Sequence, residues 1–242
     1  MTELPGSSEI EPANEHHHRD VRGGAARAAV FGVSDGLVSN VGLILGVAGA
    51  DPASAVVRVA GIAGLIAGAI SMAAGEYNSM RVQSELLERE LAIERRELHR
   101  HPHAETVELT HIYQARGVDP DRARELAQEM MRDPEVALQT HAREELGIDP
   151  NFLGSPLRAA TSSFVSFTIG ALVPLLPWFF IGHGGAIAAS LVLAFVAAVV
   201  VGLATARFTE RPSAVVVARQ VGFTLIPAAI TFAIGHLVGA NV

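Results

Sequence analysis

The sequence predicts an all-α membrane protein, with five transmembrane helices and a polar helical domain inserted between the second and third. Half of the 242 residues are hydrophobic, and the apolar residues gather into long blocks that one acidic block interrupts. Each apolar block has at least about 20 residues, which is enough to cross a hydrocarbon core of about 30 Å. The blocks cover residues 25–50, 53–77, 159–181, 184–206 and 215–238.

Composition divides the chain into four segments: 1–24, 25–80, 81–155 and 156–242. The first is polar, carries a histidine run at residues 16–18, and is predicted to be a disordered cytoplasmic tail; metal capture by the run is the alternative. The second and fourth segments hold two and three spans. The third holds 16 of the 25 acidic residues, and no nucleic-acid partner is predicted. The absence of cysteine excludes disulfides, thiolate metal sites and thiol catalysis.

The arginines predict the orientation in the membrane. All 18 basic residues are arginine, and 17 of them lie in the tail, around the inserted domain, or between the fourth and fifth spans. Arginine-rich loops near spans stay in the cytoplasm. We therefore expect a multi-pass protein of the lipid bilayer whose amino terminus and inserted domain are cytoplasmic. The arginine-only composition favours a bacterial source and its cytoplasmic membrane.

Two carboxylates lie in or at the edge of the first two spans. Asp35 shares a helical face with Ser39 and Gly42, and a stripe of small residues in the second span leads at helical spacing to Met72 and Glu76. An ionised carboxylate at bilayer depth costs at least about 2.5 kcal/mol. Helix packing explains the glycines but not the carboxylates. Asp35 and Glu76 therefore indicate a pathway for an ion.

The third span carries hydroxyl residues, among them Ser162, Ser163, Ser166 and Thr168, and ends near Pro174, Pro177 and Trp178. The hydroxyls either line a path or bond back to their own helix, and the second arrangement is commoner. Trp178 is expected at the membrane interface, where tryptophan is enriched.

No helix breaker follows Glu76 until Pro102, so the second span is predicted to continue into the cytoplasm as one long helix. Shorter helices are predicted at 103–116, 120–132 and 134–147, with prolines opening the last two. These helices are expected to pack as a small bundle.

The bundle carries two E-x-x-E pairs, Glu94 with Glu97 and Glu105 with Glu108. Each pair lies on one helix face, and a turn at Pro102 folds the two pairs towards each other. Converging carboxylates repel, and a divalent cation with a preference for oxygen ligands relieves that repulsion. His141 and Glu145, four residues apart, are candidates to complete the site. A solvated acidic surface is the alternative interpretation of either pair alone.

The chain closely resembles the vacuolar iron transporter family over roughly residues 20–240. The resemblance rests on Asp35-Gly36-Leu37, SMAAGEYNS at 71–79, both E-x-x-E pairs, EELGIDP at 144–150 and SFTIGALVPLLP at 166–177. It implies a five-span homodimer, not an enzyme, that exports Fe²⁺ or Mn²⁺ from the cytoplasm in exchange for protons. No prosthetic group is expected; the metal is cargo, with Zn²⁺ and Co²⁺ as further candidates.

The resemblance also assigns residue roles. It implies that Asp35, Met72 and Glu76 line the translocation path. It further implies that five glutamates bind metal in the cytoplasmic domain: Glu94, Glu97, Glu105, Glu108 and Glu145. Family members can carry a methionine pair before the last of these, where this chain has His141-Ala142. His141 is therefore the candidate replacement ligand.

One enzyme remains as an alternative on the residues alone. Glu108-x-x-His111 suggests a membrane-anchored, ferritin-like di-iron oxidase. Such sites need this motif on two helices and further glutamates on two others. This chain has one motif in the required direction, because His141-x-x-Glu144 runs the opposite way.

Overall fold

The computed structural model describes residues 25–147, 149–150 and 154–240, and the predicted tail with its histidine run lies outside them. The all-α prediction is confirmed, since these residues form helices joined by short turns, without a strand. The helices are α1 (Ala25–Gly49), α2 (Ser54–Arg100), α3 (Pro102–Ala115), α4 (Pro120–Met130), α5 (Pro134–Glu144), α6 (Pro156–Leu175), α7 (Pro177–Phe180), α8 (His183–Thr209) and α9 (Ser213–Gly239).

α1 lies at the centre of the apolar part and contacts α2, α6, α8 and α9. Small residues let it approach α6 closely. A Cβ added at Gly36 would collide with the backbone of Phe167, and one at Gly170 would collide with the backbone of Val33. Only glycine fits at these two crossing points, as is common where membrane helices pack backbone to backbone.

Four helices are long and apolar enough to cross a membrane: α1 from Arg27, α2, α8 and α9. α6, the predicted third span, is not among them, because Arg158 and its hydroxyl residues dilute its apolar character. It nevertheless packs between α1 and α2, with Ser163, Phe167 and Ala171 buried. Thr168 donates a hydrogen bond to the Phe164 carbonyl oxygen, which is the back-bonding expected of a hydroxyl in this helix.

α2 continues without a break for 47 residues, so the prediction of one long helix is confirmed. At 1.5 Å per residue it is about 70 Å long, more than twice the thickness of a hydrocarbon core. Its second half, from residue 81, packs with α3 and α5, and α4 packs against those two helices; we call these four segments the acidic bundle. Asp119 and Asp133 cap α4 and α5 by accepting hydrogen bonds from backbone N–H groups, and a proline follows each cap.

Trp178, which was expected at the membrane interface, is buried inside the protein. Its side chain is 1% exposed, and its Nε1 donates a 3.0 Å hydrogen bond to Ser190 Oγ. Ser190 in turn donates to the Pro174 carbonyl oxygen at 2.7 Å. The Pro174 carbonyl oxygen is available to Ser190 because it lies in the last turn of α6, where carbonyl groups lack intrahelical donors, and α7 leads the chain on towards α8.

Candidate metal sites

A cavity of about 410 Å³ lies between α1, α2 and α6. α1 contributes Asp35, and α2 contributes Met72 and Glu76, so all three residues of the expected path line the same space. Phe167 of α6 forms another wall. Two carboxylates and one thioether therefore face a single opening in the apolar part of the molecule.

The glycine stripe of α2 keeps this cavity open. Gly64 and Gly68 both line it. A Cβ at Gly68 would run into the Phe167 ring, and one at Gly64 would meet the side chain of Leu43. The stripe that the sequence suggested as a packing surface thus also creates space beside the two carboxylates.

Glu76 has a cationic partner. Arg27 Nη2 donates a 2.8 Å hydrogen bond to Glu76 Oε1, and the two side chains are 66% and 13% exposed. A carboxylate that is nearly buried is thereby neutralised by an arginine that remains in contact with solvent. An arriving cation has to compete with Arg27 for this oxygen.

The second site lies in the acidic bundle, and we call it the acidic cage: Glu94, Glu105 and His141. One ligand atom from each of these buried residues lies within 4.8 Å of the others. His141 Nδ1 is 3.2 Å from Glu94 Oε1 and 3.7 Å from Glu105 Oε2. Both ring nitrogens of His141 and Glu94 Oε1 lack a hydrogen-bond partner among the described residues. The cage thus presents unsatisfied ligand atoms to one point.

Burial and mutual repulsion dominate the electrostatics of the cage. Burial raises the pKa of Glu94 to about 7, and the negative charges of four neighbours add to the shift: Glu145, Glu105, Glu108 and Glu97. The pKa of Glu105 is raised for the same reasons. Burial lowers the pKa of His141, with the charge of Glu108 opposing the shift, which favours the neutral imidazole that metals bind.

The other predicted ligands lie around the cage. Glu145 Oε2 is 3.8 Å from His141 Nδ1 with its side chain about one-third exposed, and burial raises its pKa. Glu97 is 42% exposed and lies 3.8 Å from His101. Glu108 is exposed on α3 and lines an open groove with His111. The structure therefore brings Glu94, Glu105, His141 and Glu145 together, while Glu97 and Glu108 act on them through charge.

Two residues at the cavity were not identified from the sequence as site residues. Arg27 was counted only as a topological charge, and nothing in the sequence connects it to Glu76, 49 positions away. Asn40 was not singled out from the sequence, although it lines the cavity beside Asp35. The sequence offered one signal for a role of Asn40 at this site: it lies five residues after the intramembrane Asp35.

Comparison with known proteins assigns the chain to a family. The model of the VIT family matches residues 26–236. Vacuolar iron transporter 1 of Eucalyptus grandis is 32% identical over 212 residues, which cover 85% of this chain and 84% of that protein. The protein of the same name from Oryza sativa subsp. japonica is 33% identical over 215 residues, covering 86% and 85%.

A vacuolar iron transporter of Acanthamoeba castellanii is 40% identical over 161 residues, which cover 66% of this chain and 58% of that protein. All three relatives are named as transporters, in agreement with the expectation that this chain is not an enzyme. With a cavity lined by carboxylates between apolar helices, and with a family match over most of its length, the chain belongs to the VIT family and is a membrane transporter of metal ions.

Proposed function

We propose that this protein exports Fe²⁺ or Mn²⁺ from the cytoplasm in exchange for protons. The acidic cage captures the ion, and Glu76 and Met72 receive it at the cavity. Asp35 then carries it outward. The observation that supports this proposal most strongly is the shared cavity, because three residues from two helices that were expected to form a path line one space of about 410 Å³.

The proposed topology has five spans, with α6 as the third and the acidic bundle in the cytoplasm. The distribution of arginines supports this orientation, and the bacterial cytoplasmic membrane is the proposed location. The protein is further proposed to work as a homodimer. Ser39 and Ser71 line the cavity but are exposed on the surface of one protomer. The Ser39 hydroxyl donates to the Asp35 carbonyl oxygen of its own helix, but a bilayer does not solvate the Ser71 hydroxyl well, and a second copy would cover it.

The donor set suits a borderline divalent cation. Asp35 and Glu76 supply oxygen, and Met72 supplies a polarisable sulfur. Mg²⁺ and Ca²⁺ use oxygen ligands, while thioether sulfur favours softer metals. Fe²⁺ and Mn²⁺, and also Zn²⁺ and Co²⁺, can use such a mixed set. Protons compete with the cation for the same carboxylate oxygens, so protonation from the outer side releases the ion and couples the two fluxes.

Flux into proteoliposomes tests this proposal. Vesicles with an acidic interior and a metal-sensitive dye should take up Fe²⁺ or Mn²⁺, and dissipating the pH gradient should slow uptake. Asp35→Ala should abolish uptake, because no other described residue of α1 brings a carboxylate to the cavity. Uptake by Asp35→Ala at the wild-type rate would overturn the proposed path.

Asp51→Asn is the matched control. Asp51 follows the other end of α1, its side chain is 92% exposed, and it lies outside the cavity. Its backbone φ is 53°, in the left-handed region that asparagine tolerates. This variant should retain wild-type flux, so that a loss in Asp35→Ala is assigned to the position and not to the removal of an acidic residue.

A further inference from the structure

A two-point contact joins the ends of α3 and α5. Arg116 is the C-cap residue of α3, and Glu144 is the last residue of α5. The Arg116 guanidinium forms an ion pair with the Glu144 carboxylate through Nη1, and its Nη2 donates a 3.2 Å hydrogen bond to the Glu144 carbonyl oxygen. We call this contact the arginine clamp. It fixes both the side chain and the backbone of Glu144, because the two nitrogens of a guanidinium have a rigid relative geometry.

The arginine clamp lies where α5 needs a cap. The last carbonyl groups of a helix lack intrahelical donors, and α5 is followed by a turn that leads to Gly147 at a φ of 66°. The Glu144 carbonyl oxygen obtains its donor from Arg116, 28 positions earlier in the chain. The Glu144 side chain is 24% exposed, whereas that of Arg116 is 52% exposed. The end of α5 is therefore held by a residue that belongs to the end of α3.

The clamped residue directly precedes a predicted metal ligand. Glu145 is the C-cap residue of α5, and its Oε2 lies 3.8 Å from His141 Nδ1. Its backbone N–H donates a 2.9 Å hydrogen bond to the His141 carbonyl oxygen, so its place depends on an intact last turn of α5. α3 and α5, which carry Glu105 and His141, make few direct contacts with each other. Fixing the end of α5 therefore fixes Glu145 at the edge of the acidic cage.

We infer that Arg116 is a positioning residue of the acidic cage: through Glu144 it holds Glu145 where its carboxylate joins His141 around a cation. Arg116 does not bind the metal itself, because a guanidinium is permanently protonated and offers no lone pair. Removing a residue that orients a metal ligand typically lowers metal affinity about 10- to 100-fold. This inference rests on the proposed function, since it specifies what orders the site that is proposed to capture the ion.

The test is a double-mutant cycle in the full-length protein. Isothermal titration calorimetry with Mn²⁺ gives the affinities of the wild type, Arg116→Gln, Glu145→Gln and the double variant. Arg116→Gln should weaken binding about ten-fold or more. In the Glu145→Gln background the same substitution should change the affinity less than about two-fold, because the ligand that Arg116 positions is already gone. A merely structural role would weaken binding by the same factor in both backgrounds.

Three further variants keep the test decisive. Arg116→Lys keeps the charge but not the fork geometry, so its affinity should lie between those of the wild type and Arg116→Gln. If Arg116→Gln does not fold, Glu144→Gln takes its place in the cycle, because it removes the ion pair from the other side. Arg132→Gln is the matched control: Arg132 Nη1 lies 2.7 Å from Glu129 Oε2 in an exposed ion pair at the end of α4. Its affinity for Mn²⁺ should equal that of the wild type.

The outcomes separate this inference from the proposed function. If the wild type binds Mn²⁺ and Glu145→Gln binds it more weakly, wild-type affinity in Arg116→Gln overturns the role of Arg116 alone. Independent effects of the two substitutions overturn it as well. If the wild type does not bind Mn²⁺, or if Glu145→Gln binds it like the wild type, the proposed ligands of the cage fail and the role of Arg116 falls with them.

Discussion

The acidic cage and the cavity hold carboxylates in opposite ways. In the cage, Glu94 and Glu105 are buried against His141, and their described ion-pair contacts are with this histidine. In the cavity, Glu76 is paired with Arg27, and Asp35 faces open space. Concentrated, uncompensated negative charge binds a cation tightly, whereas compensated charge binds it weakly and lets it leave. The comparison indicates that one site captures the ion and the other passes it on.

The largest expected effect comes from Glu76→Gln, which should lower maximal flux about 100-fold while metal binding to the cage stays unchanged. The substitution removes a ligand and also leaves the Arg27 charge unpaired at the mouth of the cavity, where it repels the cation. Two measurements separate the effects on the two sites: flux into proteoliposomes reports on the cavity, and isothermal titration calorimetry with Mn²⁺ reports on binding to the cage.

Glu85→Gln is the control for this change. Glu85 accepts a 2.8 Å hydrogen bond from Arg81 Nε on the same helix, so it also belongs to a glutamate–arginine pair, but it is exposed and outside the cavity. Its flux should remain normal. Equal losses in Glu76→Gln and Glu85→Gln would remove the distinction between the cavity and other charged surfaces.

The second prediction concerns capture. His141→Ala should weaken metal binding to the cage about 10- to 100-fold, because it removes the one nitrogen ligand. Flux at saturating metal should change little, since the cavity is intact. His111→Ala is the control: His111 is an exposed histidine of α3, and its replacement should leave metal binding to the cage unchanged. A fall of maximal flux in His141→Ala as deep as that in Glu76→Gln would show that the two sites do not act separately.

The third prediction is the pH dependence of the cage. The Glu94 pKa of about 7 means that a proton occupies this carboxyl in mildly acidic solution. Metal affinity should therefore rise about ten-fold per pH unit below 7 and level off above it. Titration between pH 5.5 and about 8 measures this slope. Glu94→Gln should bind metal weakly with a flat profile; a wild-type slope in that variant would assign the proton to another group.

The same raised pKa has a consequence for stability. Folding raises the Glu94 pKa from 4.5 to about 7, so the folded chain holds this proton more tightly than the unfolded chain. The stability that this proton gives to the folded protein is fully present when the pH is below the Glu94 pKa of the unfolded chain. It is lost as the pH rises through the Glu94 pKa of the folded chain. The melting temperature of the metal-free protein should fall between these two pH values. Glu94→Gln should reduce that fall, as differential scanning fluorimetry in detergent can show.

Much of the fold followed from local chemistry. Long apolar blocks predicted helices, and the absence of a breaker before Pro102 predicted the uninterrupted α2. Prolines predicted where α4 and α5 begin. The burial of Trp178 was missed because it depends on Ser190, a partner in α8 that residue type alone does not reveal.

The candidate sites were only partly predicted from the sequence, because they also depend on how the helices pack. Helical spacing grouped Glu94 with Glu97 and Glu105 with Glu108, but it did not show that the first member of each pair is buried beside His141 while the second is not. Which glutamate of each pair is buried depends on how α3 and α5 pack against α2. The pairing of Arg27 with Glu76 likewise depends on the approach of α1 to α2.

The smallest expected effect tests the compensation of charge in the cavity. Arg27→Gln should lower KM for Mn²⁺ by less than about five-fold, because a solvent-exposed ion pair contributes at most about 1 kcal/mol. Arg27→Lys should remain close to the wild type, since it keeps the positive charge. The double variant with Glu76→Gln should transport faster than Glu76→Gln alone, because it no longer carries an unpaired cation at the mouth. A higher KM in Arg27→Gln would mean that Arg27 assists binding, and Glu76 would then need its arginine partner to receive the ion.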